Sequence, residues 1–340
     1  MASQDITLVA NAADTISSAR WSPAANQLAV GSWDGMVRVY DVATSGSAAP
    51  VASLAANGPV FSCDWNKDGT VIAVTGADKQ VRLWQASTGQ AAVIGAHDAP
   101  VRSVCFVDVP DAATPIIATG SWDKTVRYWD PRRPGTPLAT LHCADRVYSM
   151  DTAGSLLVVA TAERHIHLVD LHANPAAFAR TVQSPLKHQT RAVAAFRDGK
   201  GWGTAGIEGR CALSAVSEQD ARSIDFTFRC HRDQPDSNRV VKVWAVNDVR
   251  FHPTHPTTFS TAGSDGTYSF WDSNAHQRLK APTGSAGGAI TATDFNRDGT
   301  LFAYAVGYDW SMGYAKNTPN YPTKLMLHRI KEEEVRPRRR

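Results

Sequence analysis

The side chains that could do chemistry in this sequence centre on one histidine. His97 precedes Ser121 and Asp123, so a Ser-His-Asp arrangement can be written down, in which the imidazole would remove the serine proton. A structural interpretation competes with it. His97, Asp123 and Trp129 fall in a loop, a turn and a strand that could share a buried hydrogen-bond network. We favour the structural interpretation, because the same loop-to-turn pattern recurs along the chain.

No other set of residues indicates catalysis. The sequence has no Walker phosphate loop, no glycine-rich phosphate cradle after a strand and no paired carboxylates in a defined setting. The remaining histidines and the cysteines show no metal-ligand grouping. We therefore expect no catalytic residue, no cofactor and no metal, and the sequence predicts a protein that is not an enzyme.

The elements that position these side chains belong to a repeated unit. Three segments are near-copies of one another: GSWDGMVRVYD (31–41), TGSWDKTVRYWD (119–130) and AGSDGTYSFWD (262–272). An acidic turn residue recurs about every 40–45 residues, a spacing typical of WD-repeat propeller blades, with one longer gap between the fifth and sixth copies. These turn acids are Asp34, Asp78, Asp123, Glu163, Glu208, Asp265 and Asp309. Seven copies predict seven blades.

Each unit has the pattern of short antiparallel strands. A half-alternating first strand, such as 101–106, is followed by an apolar second strand, such as 156–161. The third strand alternates valine, arginine and aromatic residues, and we expect its arginines to pack between neighbouring sheets: Arg38, Arg82 and Arg127. No segment of ten or more residues shows a convincing helical period. The sequence therefore predicts an all-β fold, a single seven-bladed WD-repeat β-propeller.

The seventh unit is incomplete, because only a charged tail follows KLMLHRI (324–330). We predict that ITLVA (6–10) supplies its fourth strand, since closing the ring removes exposed sheet edges. The propeller domain thus spans residues 1–330, and its longest insertion covers 217–240. Residues 331–340 are expected to form a charged, disordered tail.

The composition favours a protein of the cytosol or the nucleus. The apolar fraction is 43%, and no stretch approaches the roughly 18 apolar residues of a membrane span, so we expect no membrane insertion. The N-terminus lacks the form of a secretory signal. The five cysteines are scattered at strand positions, which favours buried, reduced thiols. The formal net charge is only +3, and the basic end RPRRR could touch nucleic acid, act as a nuclear address or be a solvated tail.

Large aromatic and cationic side chains fall on one rim of the predicted ring, where second and third strands are joined. Trp33 and Trp122 come directly before a turn aspartate, where other units carry Ala77 and Ser264. Indoles on a surface are typical interface hot spots, although each could instead fold over the neighbouring blade. Arg210 follows the turn of the fifth unit, and its guanidinium suits bidentate capture of a carboxylate.

Further basic side chains would add positive potential to this rim: Lys187, His188, Arg191, His231 and Arg232. The rim is therefore predicted to suit an acidic peptide with apolar side chains, or single-stranded nucleic acid.

Several segments resemble one family. Residues 120–130, 158–171, 184–191, 207–210, 226–232 and 245–253 are similar to the nuclear-pore messenger-RNA export propellers, and the resemblance covers about residues 10–330. A sister family, the spindle-checkpoint propellers that partner mitotic kinases, is similar over the same segments. The segments HDAPVRSV (97–104) and AYAVGYDWSMGY (303–314) favour the export family.

The resemblance implies an adaptor that grips a short acidic hairpin, the GLEBS motif. A Phe-Gly nucleoporin carries this hairpin in the export case, and checkpoint kinases carry it in the other. The family's rim tryptophan falls on Trp33 and its carboxylate-binding arginine on Arg210. Trp122, on the same rim, completes the partner-binding residues that we predict.

The resemblance also implies a second pocket, which viral inhibitors use and which is implicated in nucleic-acid contact. It falls on Phe228 and Trp271, with Arg278 beside them. Ser273 and Arg278 stand where the family carries two lysines, which lowers the positive charge of this pocket.

The sequence thus predicts a non-enzymatic adaptor of nuclear mRNA export that binds a Phe-Gly nucleoporin and brings messenger ribonucleoprotein to the nuclear pore. We expect a monomeric propeller in a heterodimer, located in the nucleus and at the nuclear envelope and shuttling to the cytoplasm. Two alternatives stay open. One is a spindle-checkpoint propeller, and the other is a direct single-stranded RNA-binding protein, whose affinity would fall steeply with salt.

Overall fold

The fold is a ring of seven four-stranded antiparallel sheets. The computed structural model describes residues 5–110, 112, 114–282, 284–318 and 320–337. The first strand of each sheet contacts the first strand of the next, and the first and last sheets meet in the same way. The predicted seven-bladed β-propeller is confirmed.

The first three blades follow directly on one another. The strand β1 (Ile6–Leu8) precedes them and belongs to the last blade. Blade 1 contains β2 (Ile16–Trp21), β3 (Gln27–Ser32), β4 (Met36–Val42) and β5 (Ala48–Ala55). Blade 2 contains β6 (Val60–Trp65), β7 (Ile72–Gly76), β8 (Gln80–Gln85) and β9 (Gln90–Ala96). Blade 3 contains β10 (Val101–Val107), β11 (Ile116–Ser121), β12 (Thr125–Trp129) and β13 (Ala139–His142).

The other four blades complete the ring, and blades 4, 5 and 7 carry short helical segments. Blade 4 contains β14 (Val147–Ala153), β15 (Leu156–Thr161), a 3-10 turn (Ala162–Arg164), β16 (His165–Asp170) and β17 (Arg180–Gln183). Blade 5 contains β18 (Thr190–Ala195), β19 (Gly201–Gly206), β20 (Arg210–Ala215), helix α1 (Glu218–Ile224) and β21 (Phe226–Arg229). Blade 6 contains β22 (Val246–Phe251), β23 (Thr258–Gly263), β24 (Tyr268–Asp272) and β25 (Gln277–Lys280). Blade 7 contains β26 (Ile290–Phe295), β27 (Leu301–Val306), a 3-10 turn (Tyr314–Lys316) and β28 (Lys324–Arg329), and helix α2 (Glu332–Val335) follows.

The core lies between neighbouring sheets, because each sheet has two apolar faces. Val37 and Val39 of blade 1, for example, pack in one cluster with Trp65 and Trp84 of blade 2. Within a blade, tight turns join β3 to β4 and the equivalent strands. Gly35 has a φ of 80°, and the carboxylate of the preceding Asp34 accepts a hydrogen bond from the backbone N–H of Met36.

The N-terminal strand closes the ring as predicted. β1 pairs antiparallel with β28, with Ile6 opposite Leu327 and Leu8 opposite Leu325. The side chains of Leu8, Leu325 and Leu327 are buried in the core between blades 7 and 1. The two ends of the chain therefore share one sheet.

The prediction of a disordered tail is wrong for residues 331–337. Residues Glu332–Val335 form α2, and Val335 is only 1% exposed. The backbone carbonyl of Val335 accepts a hydrogen bond from the Thr258 hydroxyl, and Glu334 forms an ion pair with Lys280. Within this run of charged residues, the apolar side chain of Val335 packs against blades 6 and 7. The rest of the predicted tail, 338–340, lies outside the described residues.

The seventh unit also departs from the repeat. No tight turn joins β27 to β28, and the loop 307–323 connects them instead. Asp309 is therefore not a turn acid like Asp34; its carboxylate accepts hydrogen bonds from the hydroxyls of Ser264 and Ser311. This loop brings Trp310 to the rim of the ring.

The third-strand arginines, which we predict to pack between sheets, form ion pairs with the turn acids of their own blades. The guanidinium of Arg38 lies 2.8 Å from the Asp34 carboxylate, that of Arg82 lies 2.5 Å from Asp78, and that of Arg127 lies 3.4 Å from Asp123. Each pair spans four residues across a turn, where the two charges offset each other at short range.

Candidate binding face

His97 holds a buried hydrogen-bond network together. Its Nδ1 lies 2.8 Å from the Asp123 carboxylate, and its Nε2 lies 2.7 Å from the hydroxyl of Thr119. The indole N–H of Trp129 donates to the same hydroxyl at 2.7 Å. Burial alone would raise the pKa of Asp123, but the hydrogen bonds from His97 and Thr125 lower it below its ordinary value. The network predicted for these residues is present.

Ser121 is turned away from this histidine. Its hydroxyl lies 3.0 Å and 2.9 Å from the backbone carbonyls of Ala99 and Pro100, and accepts from the backbone N–H of Asp123. Both imidazole nitrogens of His97 are meanwhile held by Asp123 and Thr119. The geometry is therefore that of a structural network and not of a Ser-His-Asp nucleophile.

Blade 6 contains a second copy of this network, which the sequence analysis missed. His231 lies 3.0 Å from Asp265 and 2.9 Å from Thr261, to which the indole of Trp271 also donates at 2.9 Å. The placement of His231 among the basic rim residues is thus wrong, since its side chain is buried. The sequence does indicate this second network, because Thr, Asp and Trp recur at the same spacing in 119–129 and 261–271.

Equivalent backbone hydrogen bonds place the predicted partner-binding residues on one face. The N–H of Trp33 donates to Thr15, that of Trp122 donates to Pro100, and that of Ile207, three residues before Arg210, donates to Gln189. These turns between second and third strands form what we call the turn face. Trp33, Trp122 and Arg210 therefore lie on the same side of the ring.

Four aromatic side chains form a continuous row on the turn face, which we call the aromatic arc. Trp310 stacks on Trp33 with ring centroids 4.4 Å apart, Trp33 lies 5.2 Å from Phe61, and Phe61 lies 5.5 Å from Trp122. All but Phe61 are half-buried. The sequence pattern predicts Trp33 and Trp122 but not Phe61 and Trp310. Phe61 comes from an inner strand, and Trp310 comes from the irregular loop of blade 7.

The arc forms one wall of a cavity of about 320 Å³ at the centre of the ring. Polar side chains line the cavity as well, including those of Gln189, Asn247, Asp309 and Arg191. Arg191, expected to be a free rim cation, instead donates to the side chain of Asn247 at 2.9 Å and to the carbonyl of Asp309 at 3.1 Å.

Arg210 is available for a ligand. Its side chain is half-buried, and it makes no hydrogen bond or ion pair with any residue in the described part of the chain. It stands directly opposite Arg229 in the β20–β21 register. Like charges at opposed positions repel, so an anion between them would be stabilising. Arg232, by contrast, holds the adjacent turn by donating to the carbonyls of Glu208 and Gly209.

The three residues predicted for the second pocket lie side by side. The rings of Phe228 and Trp271 are 4.7 Å apart, and the guanidinium of Arg278 lies 5.8 Å from the centroid of the Trp271 ring. Phe228 belongs to β21, and Arg278 belongs to β25. These are the outermost strands of blades 5 and 6, so this cluster lies on the outer side of the ring, away from the arc.

All five cysteines are buried and free. No group of three or more histidine, cysteine or acidic side chains is arranged to hold a metal ion within the described ranges. In the same part of the chain, no helix has the length and apolar character needed to cross a membrane.

Comparison with known proteins agrees with the repeat. The family model "WD domain, G-beta repeat" matches residues 4–41, 48–85, 89–130 and 236–272. The mRNA export factor GLE2 of Chaetomium thermophilum is 48% identical over 338 residues, which cover 98% of this chain and 92% of that protein. The WD40 repeat protein poxJ of Penicillium oxalicum is also 48% identical, over 98% of this chain and 96% of that protein. The poly(A)+ RNA export protein of Schizosaccharomyces pombe is 45% identical, over 98% and 93%.

Proposed function

Because the chain belongs to the family of WD-repeat mRNA export factors, we propose that it is an adaptor that holds the GLEBS hairpin of a Phe-Gly nucleoporin on its turn face. The observation that carries this proposal is the shared position of the aromatic arc and an unpaired Arg210. The family is shown by similarity over nearly the whole chain. We infer the hairpin and the protein that carries it from the side chains of the turn face.

The chemistry of the face suits an acidic hairpin with apolar side chains. A carboxylate of the guest accepts charge-assisted hydrogen bonds from the guanidinium of Arg210, which are favourable because no carboxylate of the described residues pairs with this arginine. Apolar side chains of the guest cover the half-buried indoles of Trp33 and Trp122, which lie among the residue types that dominate binding energy in interfaces. The mechanism is tethering: a rigid ring holds the hairpin and brings messenger ribonucleoprotein to the nuclear pore.

Calorimetry with a synthetic GLEBS hairpin tests the proposal through Arg210→Ala. Loss of one charge-assisted interaction weakens binding by about ten- to a hundredfold. The matched control is Arg222→Ala, since Arg222 lies on α1, at the opposite end of β20 from the turn face, and is exposed. Equal affinities of Arg210→Ala and the unaltered protein would reject this assignment of the face.

A pull-down from nuclear extract decides which protein carries the hairpin. Recovery of a Phe-Gly nucleoporin that is lost in Arg210→Ala supports the export adaptor. Recovery of a checkpoint kinase alone supports the sister family instead. Binding of single-stranded RNA that is insensitive to Arg210→Ala and falls steeply with salt would favour direct RNA recognition.

A further inference from the structure

The cavity at the centre of the ring contains an arginine without an anionic partner. Arg102 lies on β10 and lines the cavity beside Phe61 and Trp122. Its single hydrogen bond, to the carbonyl of Phe61, is long at 3.4 Å, and no carboxylate in the described residues forms an ion pair with it. Burial, and then repulsion by Arg191, lower the pKa of Arg102 to about 10. The guanidinium is therefore held in an environment that disfavours its charge.

A second arginine of the central channel has carboxylate partners. Arg250, on the inner strand of blade 6, lies 3.7 Å from Asp151 and 3.4 Å from Asp248. A buried cation without such a partner is costly to a folded protein. Asp248 offsets part of the charge of Arg102, but no described carboxylate forms an ion pair with it, and the cavity that it lines is open to an anion from outside the chain.

We propose that the central cavity is a binding site for one carboxylate on an apolar stem, with the carboxylate on Arg102 and the stem against Trp33 and Phe61. Arg210 is not among the residues that line the cavity, whereas Trp33 belongs to both sites, so this site adjoins the one in the proposed function and adds an anchor of its own. The aromatic arc supplies the apolar wall, and the cavity of about 320 Å³ admits a group of the size of one large side chain.

The charges of the cavity favour a carboxylate over a phosphate monoester. Only one guanidinium is free, because Arg191 is already bonded to Asn247 and to the backbone of Asp309. The carboxylate of Asp309 lines the same cavity and would repel a second negative charge. A monoanion on Arg102 therefore leaves the cavity close to charge balance, whereas a phosphate dianion does not.

Ligand-observed NMR with phenylacetate tests the site on the full chain, without any hairpin. We expect saturable binding of phenylacetate, with phenylacetamide and phenyl phosphate at least tenfold weaker. Arg102→Gln should weaken phenylacetate binding by about ten- to a hundredfold, as for loss of a charge-assisted hydrogen bond. Arg210→Gln should leave it unchanged. Phenylacetate binding therefore tests the Arg102 site independently of hairpin binding at Arg210.

Two results would overturn the proposal: equal binding of the acid and its amide, or unchanged phenylacetate binding by Arg102→Gln. If Arg102→Gln does not fold, Arg102→Lys replaces it, with an intermediate loss expected because lysine keeps the charge but lacks the planar fork. Two short peptides distinguish a C-terminal carboxylate from a side-chain carboxylate as the ligand. One ends in phenylalanine with a free carboxylate, and the other is amidated and carries an internal glutamate; binding of either in an Arg102-dependent manner supports the site.

Discussion

The imidazole Nδ1 of His328 lies 2.7 Å from the carboxylate of Asp5, so a single contact joins the last strand of the ring to the residue that precedes the first. The other ring nitrogen lies 2.8 Å from Glu334 on α2. His328 is only 1% exposed. One side chain thus links the N-terminal strand, the closing strand and the C-terminal helix.

This link predicts that stability decreases as the pH rises above neutrality. Burial alone would lower the pKa of His328, but its hydrogen bonds to Asp5 and Glu334 outweigh burial and raise it. The protonated imidazole therefore stabilises the fold fully below about pH 6.5, the unfolded pKa, and the contribution is lost as the pH rises through the higher folded value. The groups that face it are Asp5, Glu334, Lys280, Tyr304 and Tyr268.

Replacement of the histidine measures this contribution. His328→Gln should lower the free energy of unfolding by roughly 3 kcal/mol at pH 6, because Asp5 loses its buried ion-pair partner and Glu334 keeps only Lys280, and should flatten the decline above neutrality. The control is His255→Gln, since His255 meets the exposed Glu332 and should contribute at most about 1 kcal/mol. Denaturant melts from pH 5.5 to 9 check both. Parallel pH profiles for His328→Gln and the unaltered protein would contradict the prediction.

Removal of residues 1–10 should abolish folding of the ring. The deletion takes away β1, exposes the edge of β28 and removes Asp5 from His328. Removal of residues 1–4 alone keeps all three features and is the control. Size-exclusion chromatography and melting of the two truncated chains distinguish the outcomes; a cooperative melt of the longer truncation at an unchanged temperature would show that β1 is dispensable.

The threonine at the centre of the blade 3 network should contribute more than a buried threonine of blade 2 that belongs to no such network. Thr119→Val deprives His97 and Trp129 of one partner, which should cost roughly 2–3 kcal/mol. Thr75 of β7 is as deeply buried, but it lies at the position of Gly120, and its hydroxyl has no hydrogen-bond partner among the described residues. Thr75→Val should therefore be neutral or stabilising. Thermal melts of the two variants give the comparison, and equal losses would argue against the network as a source of stability.

Trp33→Ala should weaken binding of a GLEBS hairpin to a degree similar to Arg210→Ala, without unfolding the ring. It removes the centre of the aromatic arc, where Trp33 touches both Trp310 and Phe61. A truncated interface hot spot typically costs about 2 kcal/mol or more. Phe228→Ala is the control, because Phe228 lies on the outer side of the ring. Calorimetry with both variants, beside their melting curves, checks the prediction; a larger loss for Phe228→Ala would move the site to the outer cluster.

The repeat was sufficient to predict most of the fold. Periodic turn acids and alternating strands recur because each sheet must cover the apolar faces of its neighbours, so the period alone gives the number of blades and the need for a closing strand. The same logic placed His97, Asp123 and Trp129 in one network and put Trp33, Trp122 and Arg210 on one face. These features depend on the position of a residue within the repeat unit, which can be read from the sequence.

Where the chain departs from the period, only the tertiary structure decided the outcome. Val335 sits in a run of charges, and its burial depends on a gap against blades 6 and 7 that no local pattern describes. Trp310 reaches Trp33 through an irregular loop. Whether an arginine is free depends on neighbours that only the folded chain brings together: Arg191 donates to Asn247, 56 residues away, whereas Arg102 forms no ion pair in the described chain. Sequence fixes which charges are present, but their compensation is decided by distances between blades.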